Sequence, residues 1–318
     1  MRNFDYGKFK EVRWDSEVLG SVAQIHEYKG KQALLLRQKP ATLEKLVEIA
    51  KIQSTEASNK IEGIVTTATR IKQLCEQKTT PRNRDEEEIS GYRDALTLIH
   101  ESYEYIPIKP SYILQLHQVL YRYSQKGIGG RFKNTQNYIA EIKESRERYV
   151  RFMPLEPFET PMAIEAICDS FNREMDMCEI DPLILIPAFI VDFLCIHPFN
   201  DGNGRMSRLL TTLLLYRAGY VVGKYVSLES KIEKTKESYY DALEKSDIDW
   251  YREGNDITPF IKYILGTILA AYRDLEERVT IVEGKVTTID LVRKAVGNTI
   301  GKFTKNDIME YVPSVSKA

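Results

Sequence analysis

Thirteen consecutive residues put a polar knot between two segments that have to be buried. They are Ile196-His197-Pro198-Phe199-Asn200-Asp201-Gly202-Asn203-Gly204-Arg205-Met206-Ser207-Arg208. The run before them, Leu183 to Leu194, is almost wholly apolar, and so is Leu209 to Tyr216 after them. Leu209, Leu210, Leu213 and Leu214 recur at helical spacing, so a helix begins near Asn203-Gly204-Arg205. A helix start offers unpaired N–H groups and a partial positive charge, which suit phosphate. Gly202 and Gly204 let the backbone turn tightly and let a ligand come close. Arg205 and Arg208 are three apart and project from one side of that helix. Two guanidinium forks there make a polyphosphate site. Asp201 can hold a divalent cation, since Mg²⁺ takes one or two carboxylates plus substrate phosphates. His197 is a general base for an incoming hydroxyl. No Gly-x-x-x-x-Gly-Lys-Ser/Thr occurs, so this is not a P-loop.

The composition bounds what such a site can serve. At 318 residues the chain is long enough for two domains, or for one large domain with appendages. With 43% hydrophobic residues it can bury a sizeable core. A net charge of -1 gives no global electrostatic case for nucleic acid. The four cysteines, Cys75, Cys168, Cys178 and Cys195, have neither paired nor metal-type spacing, which suits a reducing cytoplasm. The N-terminus carries no apolar signal region. The longest apolar run contains Asp192 and is too short to span a bilayer, so no membrane association is expected.

Taken in order, residues 1 to about 38 read as extended, irregular structure punctuated by Gly20, Gly30 and Pro40. A helix is expected from Leu43, with the stripe Leu43, Leu46, Val47, Ile49 and Ala50, stopping at Gly63. Its last part, Ser54 to Glu62, is polar on most sides. Further helices are expected over Thr66–Gln77, from Asp85 with acidic residues in its first turn, and from Pro110 or Ser111. His26, His100 and His117 are expected to be structural. After Gly127-Ile128-Gly129-Gly130 the period changes. Asn137–Ile142 and Tyr149–Phe152 alternate across a polar turn and read as a β-hairpin. Helices then follow over Thr160–Met177, from Pro182 into His197, from the signature to about Gly219, over Ser230–Ser246, and over Pro259–Arg278.

The stretch His197–Arg208 resembles the signature of the Fic family, His-x-Phe-x-Asp/Glu-Gly-Asn-Gly-Arg-x-x-Arg, at all eight specified positions. Ser58-x-x-x-Glu62-Gly63 is similar to the family's inhibitory motif, Ser/Thr-x-x-x-Glu-Gly/Asn, placed N-terminal to the core as in class II members. The resemblance implies an all-α fold with a Fic-type helical core and a small hairpin. It implies a protein adenylyltransferase that moves AMP from ATP to a target hydroxyl, with Mg²⁺ as cofactor. His197 would be the base and Asp201 the metal ligand. Gly202, Asn203, Gly204, Arg205 and Arg208 would hold the phosphates. Glu62, with Ser58 and Gly63, would hold the site off by pairing with Arg208. The hairpin, Asn137–Ile142 and Tyr149–Phe152, would be the flap that docks a target protein as an added strand. Tyr240 and Tyr239 would lie near the adenine, and Phe199 would pack under the loop.

The expected organisation is an N-terminal region at 1–100 with the inhibitory helix at about 43–63, a catalytic core at 101–280, and a C-terminal segment at 281–318. That segment resembles the front half of a winged helix, and it stops where a recognition helix would begin. DNA is therefore a partner only of a completed module. Self-modification and a homodimer are further expectations from the family. The rival readings are removal of AMP from a modified protein by way of Glu62, and a DNA-binding or antitoxin-like regulator with a silent core.

Overall fold

From Leu183 to Ile196 only Leu194 is less than fully buried, and the rest of the molecule is arranged around that helix. A computed structural model describes residues 2–38, 40–77, 79–142 and 148–282, with isolated positions beyond. Among these residues the fold is all-α apart from one two-stranded hairpin. The helices are α1 (Ser16–Gln38), α2 (Pro40–Ile61), α3 (Ala68–Glu76), α4 (Arg84–Ser102), α5 (Pro110–Leu120), α6 (Thr160–Met177), α7 (Pro182–Ile196), α8 (Asn203–Arg217), α9 (Leu228–Lys234), α10 (Lys236–Asp247) and α11 (Thr258–Val282).

A helix apolar on all sides has to be surrounded. α7 accordingly packs against α6, α8, α10 and α11. Each Leu, Ile or Phe so buried contributes about 1.5–3 kcal/mol relative to exposure. α8 crosses α7 and leans on α4, and α2 lies against α4, α8 and α9. Both α6 and α7 carry proline in the first turn, where the missing N–H costs nothing. Asp181 caps α7 by accepting from Leu183 N–H, and Asn83 caps α4 by accepting from Glu86 N–H.

The hairpin pairs β1 (Ile139–Ile142) with β2 (Arg148–Phe152) antiparallel, with an irregularity between Ile139 and Ala140. Phe152 anchors it by packing edge-on against buried Trp250.

Two expectations need correction. Residues 1–38 are not irregular. Tyr6–Lys10 forms a 3-10 turn, and α1 runs for 23 residues. Gly20 and Gly30 lie within α1 with open space around them, so they neither break it nor pack. The buried side of α1 is Val18, Ile25 and Gln32, held against α11, where Tyr28 stacks on Tyr272 and the Tyr272 hydroxyl donates to Gln32. The second correction concerns the expected single helix over Ser230–Ser246. It is divided at Thr235, whose φ of -119° leaves the helical region and separates α9 from α10. The winged-helix expectation falls almost entirely outside the described residues.

Candidate active site

The chain leaves α7 through His197 at φ 51°, in the left-handed region, and enters α8 through Gly202 at φ 86°. A Cβ on Gly202 would meet the Tyr121 ring at 2.9 Å, so both the turn and the close packing call for glycine. Between these points the loop folds on itself. Asn203 Oδ1 accepts from Phe199 N–H at 2.9 Å, and its Nδ2 donates to Phe199 O at 2.7 Å. Asn203 therefore shapes the loop with its side chain.

Phe199 is fully buried and stacks on His117, with ring centroids 3.7 Å apart. His117 Nδ1 accepts from Gly130 N–H at 3.1 Å, so its proton sits on Nε2 and is donated to Asp201 O at 3.1 Å. Burial pushes the His117 pKa down to about 4 and keeps it neutral. The structural readings of His117 and Phe199 are borne out, with one addition: both hold the signature loop.

His197 is oriented the same way. The Leu194 carbonyl can only accept, so the 3.2 Å contact to Nδ1 places the proton there. Nε2 is left with its lone pair. Burial lowers the pKa to about 4, so the imidazole is neutral at physiological pH. This is the protonation state a general base requires.

A cavity of about 370 Å³ joins His197 to Asp201, Gly202, Asn203, Gly204 and Arg205 on the signature, to Glu62 and Ile64, to Arg84 and Glu88, to Ile139 on β1, and to Tyr240 and Leu243 on α10. Tyr240 lines it and is half-exposed. Tyr239, also expected on the adenine side, packs edge-on against the Tyr240 ring and does not line this cavity. Its ring is buried against Phe260 and Tyr263, because successive residues on a helix face different ways.

The two arginines have different surroundings. Arg208 is 2% exposed. Its Nε donates to Ser58 Oγ at 2.8 Å, and its Nη2 donates to Ser58 O at 2.9 Å and to Glu62 Oε1 at 2.7 Å. Its Nη1 is buried without a partner. Burial opposes the Arg208 charge, but Glu62 and the tyrosines beside it more than compensate and raise its pKa. The Glu62 carboxylate reaches over the start of α8 so closely that a Cβ on Gly204 would collide with it. Ser54, Thr55, Ser58 and Asn59 are buried, so the polar end of α2 is an interface and not a solvated turn. Lys236 Nζ donates to Ile61 O at 2.6 Å and fastens that end of α2 to α10.

Arg205 lines the cavity but is not a free cation. It is ion-paired to Glu88 at 2.7 Å, with both side chains 1% exposed, and it donates to Tyr121 Oη at 2.8 Å. A buried guanidinium needs such a partner, and α4 supplies it where it crosses α8. Glu88 also accepts from Arg84 at 2.9 Å and from Lys126 at 3.1 Å. Burial raises the Glu88 pKa, and these cations together outweigh it and hold the carboxyl below its usual range. Asp201 pairs with Lys126 at 2.7 Å. Burial is again overcome by the neighbouring cations, and Asp201 stays ionised.

Sequence reasoning missed Glu88, Tyr121 and Lys126. Glu88 was one of four acidic residues in a first turn, and only the crossing of α4 and α8 singles it out. No cluster of three or more metal-ligating side chains occurs among the described residues. Asp201 is an ionised carboxylate on the cavity wall, which it shares with Glu62, Glu88 and Asp247, and it fits Mg²⁺ held mainly by phosphate oxygens and water.

Fold and site together define a helical domain that presents a helix N-terminus and a neutral, oriented histidine to one cavity. Residues 107–215 match the Fic/DOC family. A Fic family protein from Desulfovibrio desulfuricans G20 superposes with a TM-score of 0.69 at 24% identity, over 95% of this chain and 85% of that one. A Fic-domain protein from Bacteroides thetaiotaomicron gives 0.67 at 23% identity, over 82% and 97%. Among curated relatives, Protein adenylyltransferase fic-1 of Caenorhabditis elegans is 27% identical over 184 residues, 57% of this chain and 32% of its own length. Protein adenylyltransferase Fic of Nematostella vectensis is 26% identical over 238 residues, 70% of this chain and 48% of its own. The chain thus spans less than half the length of these two relatives. Among the described residues no helix is long and apolar enough to cross a membrane.

Proposed function

We propose that the protein is an adenylyltransferase that transfers AMP from ATP to a hydroxyl of a target protein. The observation that carries this reading is His197, whose Nδ1–H is committed to Leu194 O while neutral Nε2 shares a cavity with the start of α8. Two of the relatives are named protein adenylyltransferases, which supports it.

ATP would lie with its phosphates over Gly202, Asn203 and Gly204, on the N–H groups of the α8 start. The unpartnered Nη1 of Arg208 is a donor kept for that charge. Asp201 would hold Mg²⁺, which neutralises phosphate charge when bound. Tyr240 would flank the base. The target hydroxyl oxygen attacks the α-phosphorus, and its proton passes to His197 Nε2. The bond from the α-phosphorus to the bridging oxygen breaks, and pyrophosphate leaves. Positioning and charge neutralisation supply most of the rate. β1 borders the same cavity through Ile139, which supports the hairpin as the docking edge for a target strand.

Glu62 would act as an inhibitor in place. It takes Arg208 and fills the space above Gly204 where a phosphate would sit. Because Glu62 also lines the cavity, a second reading is favoured alongside: hydrolysis of AMP from a modified protein, with Glu62 activating water. Intact mass spectrometry separates the two. Incubating Glu62→Gly protein with ATP and Mg²⁺ in a cell lysate should add the mass of one AMP to a protein hydroxyl. Incubating the unaltered protein with that product should remove it only if the second activity exists. Addition of any group other than AMP contradicts the proposal.

A further inference from the structure

α7 stops at Ile196, and the carbonyls at a helix C-terminus have no partner inside the helix. Here one short segment between α5 and β1 takes the Ile196 carbonyl and those of the loop that follows it. Lys133 N–H donates to Pro198 O at 2.8 Å. Lys133 Nζ donates to Ile196 O at 3.0 Å and to Asn137 Oδ1 at 3.1 Å. Asn137 Nδ2 donates to Phe199 O at 2.9 Å and reaches His197 O at 3.5 Å. Two residues thus take four successive carbonyls, from Ile196 to Phe199.

Three features make this more than a packing contact. Lys133 is 3% exposed, and its Nζ sits at the carbonyl end of α7, where the helix dipole favours a cation. The bond from Lys133 to Asn137 Oδ1 fixes the amide so that Nδ2 faces the loop. The turn it holds contains His197 in the left-handed region, a conformation that persists in a residue other than glycine only when its surroundings over-determine it. Asn137 then leads, two residues on, into Ile139 at the head of β1. Nearby, Asn200 Nδ2 donates to Asn134 Oδ1 at 2.9 Å and Thr135 Oγ1 donates to Asn200 Oδ1 at 3.2 Å, which extends the same seam.

We propose that Lys133 and Asn137 are positioning residues that lock the His197 turn to the first flap strand. The strand edge that would present a target hydroxyl and the imidazole that would take its proton then move as one unit. The purpose of this brace rests on the adenylyl-transfer reading, while the brace itself is measurable without it.

Hydrogen exchange by mass spectrometry on the whole protein tests it. The variants are Lys133→Met, Asn137→Asp and Lys133→Arg. Asn137→Asp keeps the shape and removes the donor, so it carries the test if Lys133→Met fails to fold. Lys133→Met and Asn137→Asp should speed exchange at least tenfold in residues 196–204 and in 139–142 together, with 184–193 and 209–216 unchanged. Lys133→Arg should stay within about threefold of the parent. In a Glu62→Gly background, the same two variants should lower kcat for labelling by at least tenfold, leave KM for ATP within about twofold, and be rescued by arginine at 133. Unchanged exchange, loosening of the loop without β1, uniform loosening of α7 and α8, or a rise in KM alone would each overturn the proposal. If Glu62→Gly protein transfers nothing from ATP, the adenylyl-transfer reading fails, and the exchange result still decides the brace.

Discussion

The Glu62 carboxylate lies 2.7 Å from Nη2 of Arg208 and covers the α face of Gly204 at the start of α8. One side chain, in the turn just past α2, thus takes both Arg208 and the space over Gly204 in which the proposed ATP phosphates would sit. The same contact buries the polar end of α2. An arginine 2% exposed is costly unless it is paired, and Glu62 and Ser58 supply the pairing.

If His197 is the base, His197→Ala in the Glu62→Gly background should lower transfer by about 10²–10⁴-fold. ATP affinity, measured by calorimetry, should change by less than about threefold, because His197 contacts the attacking hydroxyl and not the phosphates.

Acid should act on stability and on rate at different pH. Burial lowers His197 and His117 to about 4 and His100 to about 3. The unfolded chain takes up these protons near pH 6.5 while the folded one refuses them. Their contribution is therefore complete above pH 6.5 and is lost as pH falls below it, by at most about 1.4 kcal/mol per pH unit for each imidazole. Urea midpoints measured from pH 8 to 5 should be flat and then fall. The acid limb of kcat/KM should lie near pH 4, not 6.5.

Glu88→Ala should strand Arg205 in the interior. Removing one partner of a buried pair costs about 3–5 kcal/mol. Thermal melts should show a large drop, and Glu88→Gln should recover part of it by keeping a hydrogen-bond acceptor.

Tyr240 and Tyr239 should separate binding from folding. Tyr240→Ala removes a cavity wall and should raise KM for ATP several-fold with little change in stability. Tyr239→Ala opens a hole among Phe260 and Tyr263 and should cost about 3–5 kcal/mol. Parallel titrations and melts on the two variants check both.

What the sequence made legible follows from the physics of each segment. α7 and α8 were readable because long apolar runs must be buried, and the loop between them because its glycines, charges and histidine have few other uses. The hairpin was readable from alternation. α1 was not, although Val18, Val22, Ile25, Lys29 and Gln32 recur at helical spacing. Two of those five are polar, and Gly20 and Gly30 look like punctuation in a linear reading. Contacts with α11 and with Ala218 O, which accepts from Lys29, decide the matter in three dimensions. Glu88, Lys133 and the division of roles between Tyr239 and Tyr240 were beyond the sequence for a similar reason. Each depends on how distant elements pack together, or on the break at Thr235.

We propose that Glu62, at the end of α2, holds a competent site closed. The most direct test compares labelling of protein by ATP carrying radioactive α-phosphate in the unaltered chain and in Glu62→Gly. The account predicts at least a tenfold higher rate in the variant, lost again on adding His197→Ala. Equal labelling by the two, with both proteins folded and binding ATP alike, would contradict it.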